Sequence, residues 1–494
     1  MKLQKFAAGV VLFSFLGVVG AGCVKKEQPV VKKSEKATLV YYKLFDDEDV
    51  FLPLIQQYQA KNPNVTIKYR KFTDPVEYEK LIINELAEGQ GPDIFSAPNY
   101  WFLRNEKKIT PLNPQVFSPQ QFEQTFVSVA NNDLALTDST DSQKKIFGIP
   151  LTIDTLALYY NKLAYEDKIP SRGRPPATWE ELKDDVYKLS KTDNSFERFE
   201  VSGIAMGRSD NIARAVDILY LLMLQFKTQF YNDNISQAVF AQQQIITATG
   251  LALNPAIEAL KLYSSFALPS NKNYSWNGYL ASAQSPVKEM ETFARGKVSM
   301  IFGYSYLYDQ IKNEIKDLKD KGVKTIDPQD IRVSAVPQIN NPAVSTEKRD
   351  AYANYYAETV ARTSQHPEVA WDFLLFLSSK DNLQYYNQKT HRPTSRRDLI
   401  EDQKRDPIYG VFAEQTGYAE SFPVYDYQRY SDIFSKAIDT VLATTSAEDA
   451  VRRAEDSLNA ILPEQGLIAA PAKPKVPTAA SSAAKKPATS TTPQ

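Results

Sequence analysis

Few side chains in this sequence have the types and spacing that covalent or metal chemistry needs. The chain of 494 residues contains one cysteine, Cys23, and two histidines, His366 and His391. His366 stands beside a predicted helix start and His391 in a predicted loop, so neither a metal cluster nor a Ser-His-Asp set is indicated. No P-loop or dinucleotide fingerprint occurs either. We therefore expect no metal and no cofactor, and we assign no catalytic residue.

The residues before Cys23 predict a lipid attachment site. Lys2 and Lys5 precede an apolar run over residues 6–19, and Gly20-Ala21-Gly22 stands directly before the cysteine. This is the pattern of a secretory signal, and the run is shorter than the roughly 20 residues of a membrane-spanning helix. Together with Cys23 the last residues resemble the lipobox of bacterial lipoproteins, which usually begins with Leu, Val or Ile rather than Gly. An ordinary secreted protein with a free thiol is the alternative.

Both ends of the chain are predicted to lie outside the folded part. Residues 1–22 are interpreted as the lipoprotein signal peptide and the lysine-rich residues 23–37 as a solvated tether. Residues 466–494 consist mainly of Ala, Pro, Lys, Ser and Thr, which predicts a disordered tail. The protein is therefore expected at the outer face of the cell membrane, held there by its lipid.

The balance of charge excludes one class of partner. Lys and Arg together number 58 and Asp and Glu 59, which gives a net charge of −1. Without excess positive charge the chain cannot neutralise a phosphate backbone, so we expect no nucleic acid partner. The length favours two lobes, each with its own core.

The first third of the folded part alternates strands and helices. The predicted elements are a strand at 38–44, a helix at 50–58, a strand at 65–69, a helix at 78–88 and a strand at 91–95. This alternation predicts an α/β domain with a largely parallel sheet. Ligands of such sheets bind beyond the carboxyl ends of the strands, which directs attention to residues 45–47 and 96–101.

The middle of the chain is more helical. Thr178, with Glu181 three residues later, predicts a helix that begins with a capping box. Pro367 suits the first turn of a later helix. Trp179 and Trp371 lie on the apolar faces of these two helices, so both are predicted to pack in a core.

Several segments, taken in order, resemble the extracellular solute-binding proteins of ABC importers, especially the group that includes maltodextrin-binding protein. The matching segments are Asn62-Pro63-Asn64-Val65, Gly91-Pro92-Asp93-Ile94, Gly148-Ile149-Pro150, Ala157-Leu158-Tyr159-Tyr160-Asn161-Lys162, Thr178-Trp179-Glu180-Glu181-Leu182, residues 293–301, Ala335-Val336-Pro337, Ala370-Trp371-Asp372-Phe373-Leu374 and Arg392-Pro393-Thr394. The resemblance implies a two-lobed, type II periplasmic-binding-protein fold with a ligand cleft between two α/β lobes. It places residues 38–151 and 356–405 in the first lobe, and residues 152–355 and 406–465 in the second.

Five aromatic residues are candidates to contact a ligand in that cleft. Tyr306 occupies the place where members of the family often have a cleft tryptophan. Tyr100 and Trp101 follow the third strand of the first lobe, Trp276 lies in a polar loop, and Tyr430 lies in an aromatic run near the C-terminal helix. Aromatic faces stack on the C–H faces of sugars, but packing in a core is the alternative for each residue.

Four polar residues complete the candidate site. Asp46 ends the first strand, and the resemblance places Asp154 at the first crossover between the lobes and Asn354 at the second. Arg392 lies on a loop after the helix that contains Trp371. Such groups on loops can bind sugar hydroxyls, although a solvated surface position is the alternative.

The resemblance implies that the protein captures a small solute, with a sugar or oligosaccharide favoured, and delivers it to the membrane subunits of an ABC importer. We expect a monomer that is not an enzyme. Two alternatives remain open at this point. One is an exported carbohydrate-active enzyme, such as a glycosidase with two carboxylates, and the other is a surface adhesion lipoprotein.

We predict that Cys23 is the sole membrane attachment. Changing Cys23→Ala should release the protein from the membrane or leave it held by an uncut signal, because the segment that follows is polar. Membrane fractionation and the mass of the N-terminal peptide provide the measurement. A processed Cys23→Ala variant that still behaved as an acylated membrane protein would refute the lipobox interpretation.

Overall fold

The computed structural model describes residues 36–193, 198–233, 235–246, 251–340, 348–443 and 446–462. The predicted signal peptide, Cys23, the tether up to residue 35 and the C-terminal tail lie outside the described residues. None of the described helices is both long enough and apolar enough to cross a membrane.

The strands, in chain order, are β1 (Ala37–Leu44), β2 (Val65–Phe72), β3 (Ile94–Pro98), β4 (Ala135–Thr137), β5 (Lys144–Ile146), β6 (Ile149–Pro150), β7 (Ala157–Asn161), β8 (Lys191–Thr192), β9 (Phe199–Val201), β10 (Gln244–Ile246), β11 (Leu251–Leu253), β12 (Met300–Gly303), β13 (Ile331–Ser334), β14 (Ala351–Tyr352), β15 (Tyr356–Val360) and β16 (Ala419–Glu420).

The α-helices are α1 (Glu48–Lys61), α2 (Pro75–Ala87), α3 (Phe102–Asn105), α4 (Pro119–Thr125), α5 (Ser128–Leu134), α6 (Lys162–Lys168), α7 (Trp179–Leu189), α8 (Ala215–Gln225), α9 (Pro255–Ser265), α10 (Lys288–Ala294), α11 (Leu307–Asp320), α12 (Pro367–Leu377), α13 (Lys380–Thr390), α14 (Ile400–Gln403), α15 (Gly410–Thr416), α16 (Tyr427–Leu442) and α17 (Ala447–Ile461). Short 3₁₀ helices cover Asn99–Trp101, Glu106–Lys108, Pro328–Asp330 and Arg397–Leu399.

The first lobe is built on a five-stranded sheet of order β2-β1-β3-β15-β6. Strand β1 is parallel to β2 and β3, as the alternating pattern of the sequence predicts. Strand β15 runs antiparallel to both of its neighbours and reaches this sheet only after the chain has built most of the second lobe. The carboxyl ends of β1 and β3 therefore lie at the same edge of the sheet as the beginning of β15.

The second lobe has fewer strands and more helices. Its sheet has the order β12-β7-β13, and β7 runs antiparallel to both partners. Helix α8 is buried along almost its entire length and packs against α9, α16 and β14. Such an apolar sequence on all sides of a helix is typical of a helix at the centre of a core.

Each lobe has its own hydrophobic core. Along the chain, core residues change from the first lobe to the second between Ile153 and Leu156. They change back between Tyr352 and Ala353, and again to the second lobe between Leu399 and Phe412, although Ala419 still packs in the first core. Three segments therefore join the lobes, and the cleft lies between the two cores.

The two helices predicted from their first turns are present. The Thr178 hydroxyl accepts a hydrogen bond from the Glu181 backbone N–H at 3.2 Å. The Glu181 carboxylate accepts from the Ala177 N–H instead of the Thr178 N–H. The capping box is therefore only half formed. Both tryptophans pack in cores as predicted. The indole N–H of Trp179 donates to Gln225 and that of Trp371 to the Thr110 carbonyl.

The loop that leads into α8 depends on Gly207. Its φ is +102°, and a Cβ at this position would lie 2.7 Å from the Ala267 amide nitrogen and 2.8 Å from the Ala267 Cβ. Gly173 also has a positive φ, +66°, but no atom lies within 4 Å of the position of its Cβ. Alanine at Gly173 would therefore add backbone strain alone, whereas alanine at Gly207 would add both strain and a steric clash.

We predict that Gly207→Ala lowers the free energy of unfolding by about 2–5 kcal/mol, because left-handed strain and overpacking add. Gly173→Ala should cost only the strain, about 1–2 kcal/mol. Chemical denaturation of both variants checks this. Equal losses would show that the Ala267 contact is easily relieved.

Candidate functional site

A buried set of charges lies at the carboxyl end of β1. Lys43 Nζ lies 2.6 Å from Glu358 Oε1 on β15 and 3.3 Å from Asp46 Oδ2. Ser96, on β3 between these strands, donates its hydroxyl to Glu358 at 2.9 Å. A buried charge is tolerated only when it is paired and hydrogen-bonded, so β1, β3 and β15 are fixed to one another at this edge of the sheet.

Arg392 brings a fourth charge to this set. Its Nη2 lies 3.1 Å from Asp46 Oδ1, while the Tyr386 hydroxyl donates to Asp46 Oδ2 at 2.7 Å. Burial alone would raise the pKa of Asp46, but Lys43 and Arg392 outweigh it and hold this pKa below its ordinary value. Asp46 is therefore an ionised acceptor at the edge of the cleft.

Asp154 lies in the first segment that joins the lobes. Its Oδ1 accepts from the Ser305 and Thr155 backbone N–H groups at 3.1 and 3.0 Å, and its Oδ2 accepts from the Ser305 hydroxyl at 2.7 Å. Its backbone carbonyl accepts from Asn354 N–H, so the first and second joining segments are bonded to each other. Burial raises the pKa of Asp154 to about 6, although its hydrogen bonds oppose the shift.

The second lobe presents an aromatic wall that we define as Tyr304, Tyr306 and Arg214. The two tyrosine rings stack with centroids 5.9 Å apart. The Arg214 guanidinium lies 5.2 Å from the Tyr304 centroid and 5.8 Å from that of Tyr306, and it donates to the Tyr306 hydroxyl. This combines a flat apolar surface with hydrogen-bond donors, as binding of a polyhydroxyl ligand requires.

Buried acids hold this wall in place. Asp217 accepts from the hydroxyls of Tyr304 at 2.9 Å and Tyr427 at 2.6 Å. Glu289 accepts from the Ala213 N–H at 2.9 Å, immediately before Arg214. Burial raises the pKa of Glu289 to about 7. The rings and the guanidinium are therefore positioned by the interior of the second lobe.

The lobes are in contact on both sides of the cleft. On one side the rings of Tyr100 and Tyr427 stack with centroids 5.5 Å apart and an interplanar angle of 20°, and Arg104 lies 3.6 Å from Asp426. On the other side His391 of the first lobe stacks on Tyr409, whose hydroxyl donates to Asp309 on α11. The lobes are therefore in contact beside the cleft as well as through the joining segments.

A crevice remains open on the first-lobe side. It encloses about 260 Å³, including space open to solvent, and Glu79, Pro98, Trp101 and Tyr356 are among its lining residues. The crevice itself has room for about one water molecule. Any sugar would therefore enter only when the lobes separate.

Phe45 and Tyr356 meet at the edge of the cleft, and neither is among the candidate ligand contacts named from the sequence. Phe45 has a left-handed φ of +74°, is 38% exposed and meets the Tyr356 ring edge-to-face at 5.7 Å. Strained, exposed residues of this kind concentrate at functional sites. The sequence directs attention to residues 45–47 as the end of a strand, but it does not indicate the Phe45 side chain itself.

The structure brings together part of the predicted site. Asp46 and Arg392 form an ion pair. Asp154 and Tyr306 lie near this pair, because both contribute to the electrostatics of Arg392. Burial lowers the pKa of Arg392, but Asp46 and, more weakly, Asp154 and Tyr306 raise it above its ordinary value. Asn354 contributes its backbone N–H to the joining segments.

Three predicted aromatics lie elsewhere or only partly in the cleft. Trp276 is fully buried in the core of the second lobe, where its indole N–H donates to Asn211 at 2.9 Å. Tyr430 is also buried there, with its hydroxyl 2.6 Å from that of Tyr231. Trp101 lines the crevice but packs mainly in the first core, edge-to-face with Phe95. We therefore do not carry Trp276 and Tyr430 forward as ligand contacts.

This fold and cleft are those of a known class. The sequence profile of the bacterial extracellular solute-binding protein family matches residues 45–384, and the chain belongs to this family. A putative binding protein of Brucella abortus (strain 2308) is 23% identical over 400 residues, which are 80% of this chain and 85% of that protein. A putative binding protein of Brucella suis biovar 1 is similar to the same extent.

Solved structures share the fold. The sugar-binding protein MalE of Xanthomonas citri superposes with a TM-score of 0.67 at 15% identity, over 87% of this chain and 98% of that one. A solute-binding protein of an ABC transporter from Thermotoga lettingae, bound to α-D-tagatose, gives 0.61 at 19% identity, over 86% and 100%. The cyclic α-maltosyl-1,6-maltose binding protein of Arthrobacter globiformis gives 0.64 at 17%, over 86% and 99%. The two-lobed periplasmic-binding-protein fold predicted from the sequence is confirmed.

We predict that Asp154→Asn changes how stability depends on pH. The unfolded carboxyl ionises near its ordinary pKa of 3.8, whereas burial raises that of the folded protein to about 6. Between these values unfolding releases a proton, so wild-type stability falls as pH rises. Relative to the wild type, the unfolding free energy of Asp154→Asn should therefore rise by about 2 kcal/mol between about pH 4 and pH 7.

Asp138→Asn is the control. Hydrogen bonds from Thr140 and Lys145 lower the pKa of Asp138 to about 2, so its stabilising contribution is lost only as pH falls toward that value. The difference between Asp138→Asn and the wild type should therefore stay constant from pH 4 to pH 7. Denaturation at a series of pH values measures both, and a constant difference for Asp154→Asn would contradict the prediction.

Proposed function

We propose that this protein binds an uncharged sugar or oligosaccharide in the cleft between its lobes and delivers it to an ABC importer. The observation that carries the proposal is that Tyr306 of the aromatic wall, stacked on the buried Tyr304, lies near Arg392, which pairs with Asp46 of the other lobe. Apolar ring faces and fixed polar groups converge there from two lobes. This is the combination that recognition of a polyhydroxyl ligand requires.

The charges of the cleft support an uncharged ligand. Lys43 is paired with Glu358, Arg392 with Asp46, and Arg214 lies 3.7 Å from Asp217. Since each cation has an acid of the protein beside it, these groups offer hydrogen bonds without a large excess charge. An anion would have to displace an existing acid partner of one of these cations, which costs free energy.

The related structures support the same ligand class. Proteins of this fold have been solved with α-D-tagatose, with maltose in Thermotoga maritima MalE3, and with mannobiose. In this chain we assign hydroxyl binding to Asp46, Asp154, Arg214 and Arg392, and ring stacking to Tyr306.

The protein acts by binding and not by catalysis. Ligand contacts divided between the lobes are completed only on closure, so the ligand favours the closed form by the difference between its affinities for the two forms. The segments near residues 150–155, 354–356 and 406–409 absorb the motion. An importer that recognises the closed form thereby distinguishes loaded from empty protein.

The remaining features of the proposal concern organisation. The first lobe comprises residues 38–151 and 356–405, and the second comprises residues 152–355 and 406–465. The diacylglycerol on Cys23 and acylation of the new N-terminus anchor a monomer at the outer face of the membrane, because several acyl chains give stable attachment.

Thermal stability in the presence of sugars, peptides, polyamines and phosphate tests the ligand class. A ligand at one hundred times its dissociation constant adds about 2.7 kcal/mol of stability. Stabilisation by sugars alone supports the proposal. Stabilisation by peptides, polyamines or phosphate instead, or conversion of a bound sugar into product, would overturn it.

We predict that Tyr306→Ala weakens binding of the sugar found in this screen by about 1–3 kcal/mol, because it removes one stacking face from the closed cleft. Tyr187→Ala is the matched control, since Tyr187 is exposed on α7 and faces Lys272 rather than the cleft. Calorimetry measures both affinities. Equal affinities for the wild type and Tyr306→Ala would remove Tyr306 from the site.

A further inference from the structure

Tyr100 and Tyr427 form an aromatic contact between the two lobes. Tyr100 lies in the 3₁₀ helix that follows β3, and Tyr427 is the first residue of α16. Their rings are nearly parallel, at 20°, with centroids 5.5 Å apart. Each ring therefore covers one face of the other, and separation of the lobes exposes both faces toward the cleft.

The second lobe fixes the Tyr427 ring without help from Tyr100. Its hydroxyl donates to Asp217 at 2.6 Å, and Asp217 is fully buried among Tyr304, Arg214 and the core of α8. The ring therefore keeps its orientation when the lobes separate. A stacking surface that is preorganised in this way binds without the cost of ordering the side chain.

Polar groups surround the edge of the stack. Arg104, in the first lobe with Tyr100, lies 3.6 Å from Asp426, which directly precedes Tyr427 in the second lobe. Burial and the nearby Asp426 raise the pKa of Glu79, which also lines the crevice beside Tyr356. A ring placed between the tyrosines would have donors and acceptors around its rim.

We propose that Tyr100 and Tyr427 sandwich one pyranose ring of the ligand, and that this stack selects rings whose hydroxyls are all equatorial. The inference rests on the proposed function, since it names the sugar stereochemistry that the same cleft accepts. Atoms in contact are about 3.5–4.0 Å apart, so an inserted ring needs the tyrosine planes roughly 7–8 Å apart. A small rotation of the lobes provides this separation.

The selection follows from the shape of the sugar. A β-linked gluco- or xylo-configured pyranose carries its oxygen substituents around the rim and axial C–H groups on both faces, so both faces can stack on tyrosine. A galacto- or manno-configured ring has one axial hydroxyl, which makes one face polar. A two-sided aromatic site would bury that hydroxyl without a partner, whereas a one-sided site would tolerate it.

Calorimetry on the full chain with the β-1,4-linked trisaccharides cellotriose, xylotriose, galactotriose and mannotriose tests the inference. The wild type should bind cellotriose or xylotriose about tenfold or more tightly than either of the others. Tyr100→Leu and Tyr427→Leu should each lose about tenfold in affinity for that sugar and most of the discrimination. Tyr427→Phe keeps the ring but loses the bond to Asp217, and it should keep the discrimination.

Tyr279→Ala is the control for loss of a tyrosine, because Tyr279 is 87% exposed, and it should leave every affinity unchanged. The inference is overturned if the wild type binds galacto- or manno-configured sugars as tightly, or if both leucine variants keep the preference. In that case binding of any of these sugars still supports the proposed function. A wild type that binds none of the four, and no sugar in the stability screen, overturns both.

Discussion

A charge that is taken out of water must be paired, and the first lobe is organised around this constraint. Lys43 and Asp46 are three residues apart, whereas Glu358 and Arg392 come from much later in the chain. The network exists only when β15 lies in the sheet and the loop after α13 covers the end of β1. Removing one partner of such a buried pair costs about 3–5 kcal/mol, which ties the integrity of the lobe to the edge where the ligand is proposed to bind.

The second lobe solves the complementary problem of presenting aromatic faces to water. Tyrosine hydroxyls need partners when they are buried, and Asp217 supplies one to Tyr304 and one to Tyr427. The polar tips therefore point inward, and while the Tyr304 ring is buried, the Tyr306 and Tyr427 rings remain partly exposed. Arg214, at the start of α8, adds a cation over two of these rings. The buried Asp217 carboxylate thus holds Tyr304 and lies beside Arg214, two of the three residues of the aromatic wall.

Sequence patterns predict the features of this fold that depend on interactions between neighbouring residues. They predict poorly the features that depend on residues far apart in the chain. Alternating strands and helices give the first sheet, and Thr178 and Pro367 mark helix starts because capping is a short-range interaction. Trp276 is misplaced because the polar residues around it hide its burial and its bond to Asn211. Arg214 is missed because it precedes a helix that is apolar on all sides, where no pattern indicates which end faces the cleft.

The position of β15 has a consequence for how the chain folds. Ser96 and Glu358, which meet beneath the cleft, are 262 residues apart in the sequence. The first lobe therefore cannot complete its sheet until the polypeptide of the second lobe has emerged, and contacts of such long range form slowly. Until then the N-terminal half lacks β15, the strand that joins β3 to β6, and the first lobe stays open at the edge where the ligand is proposed to bind.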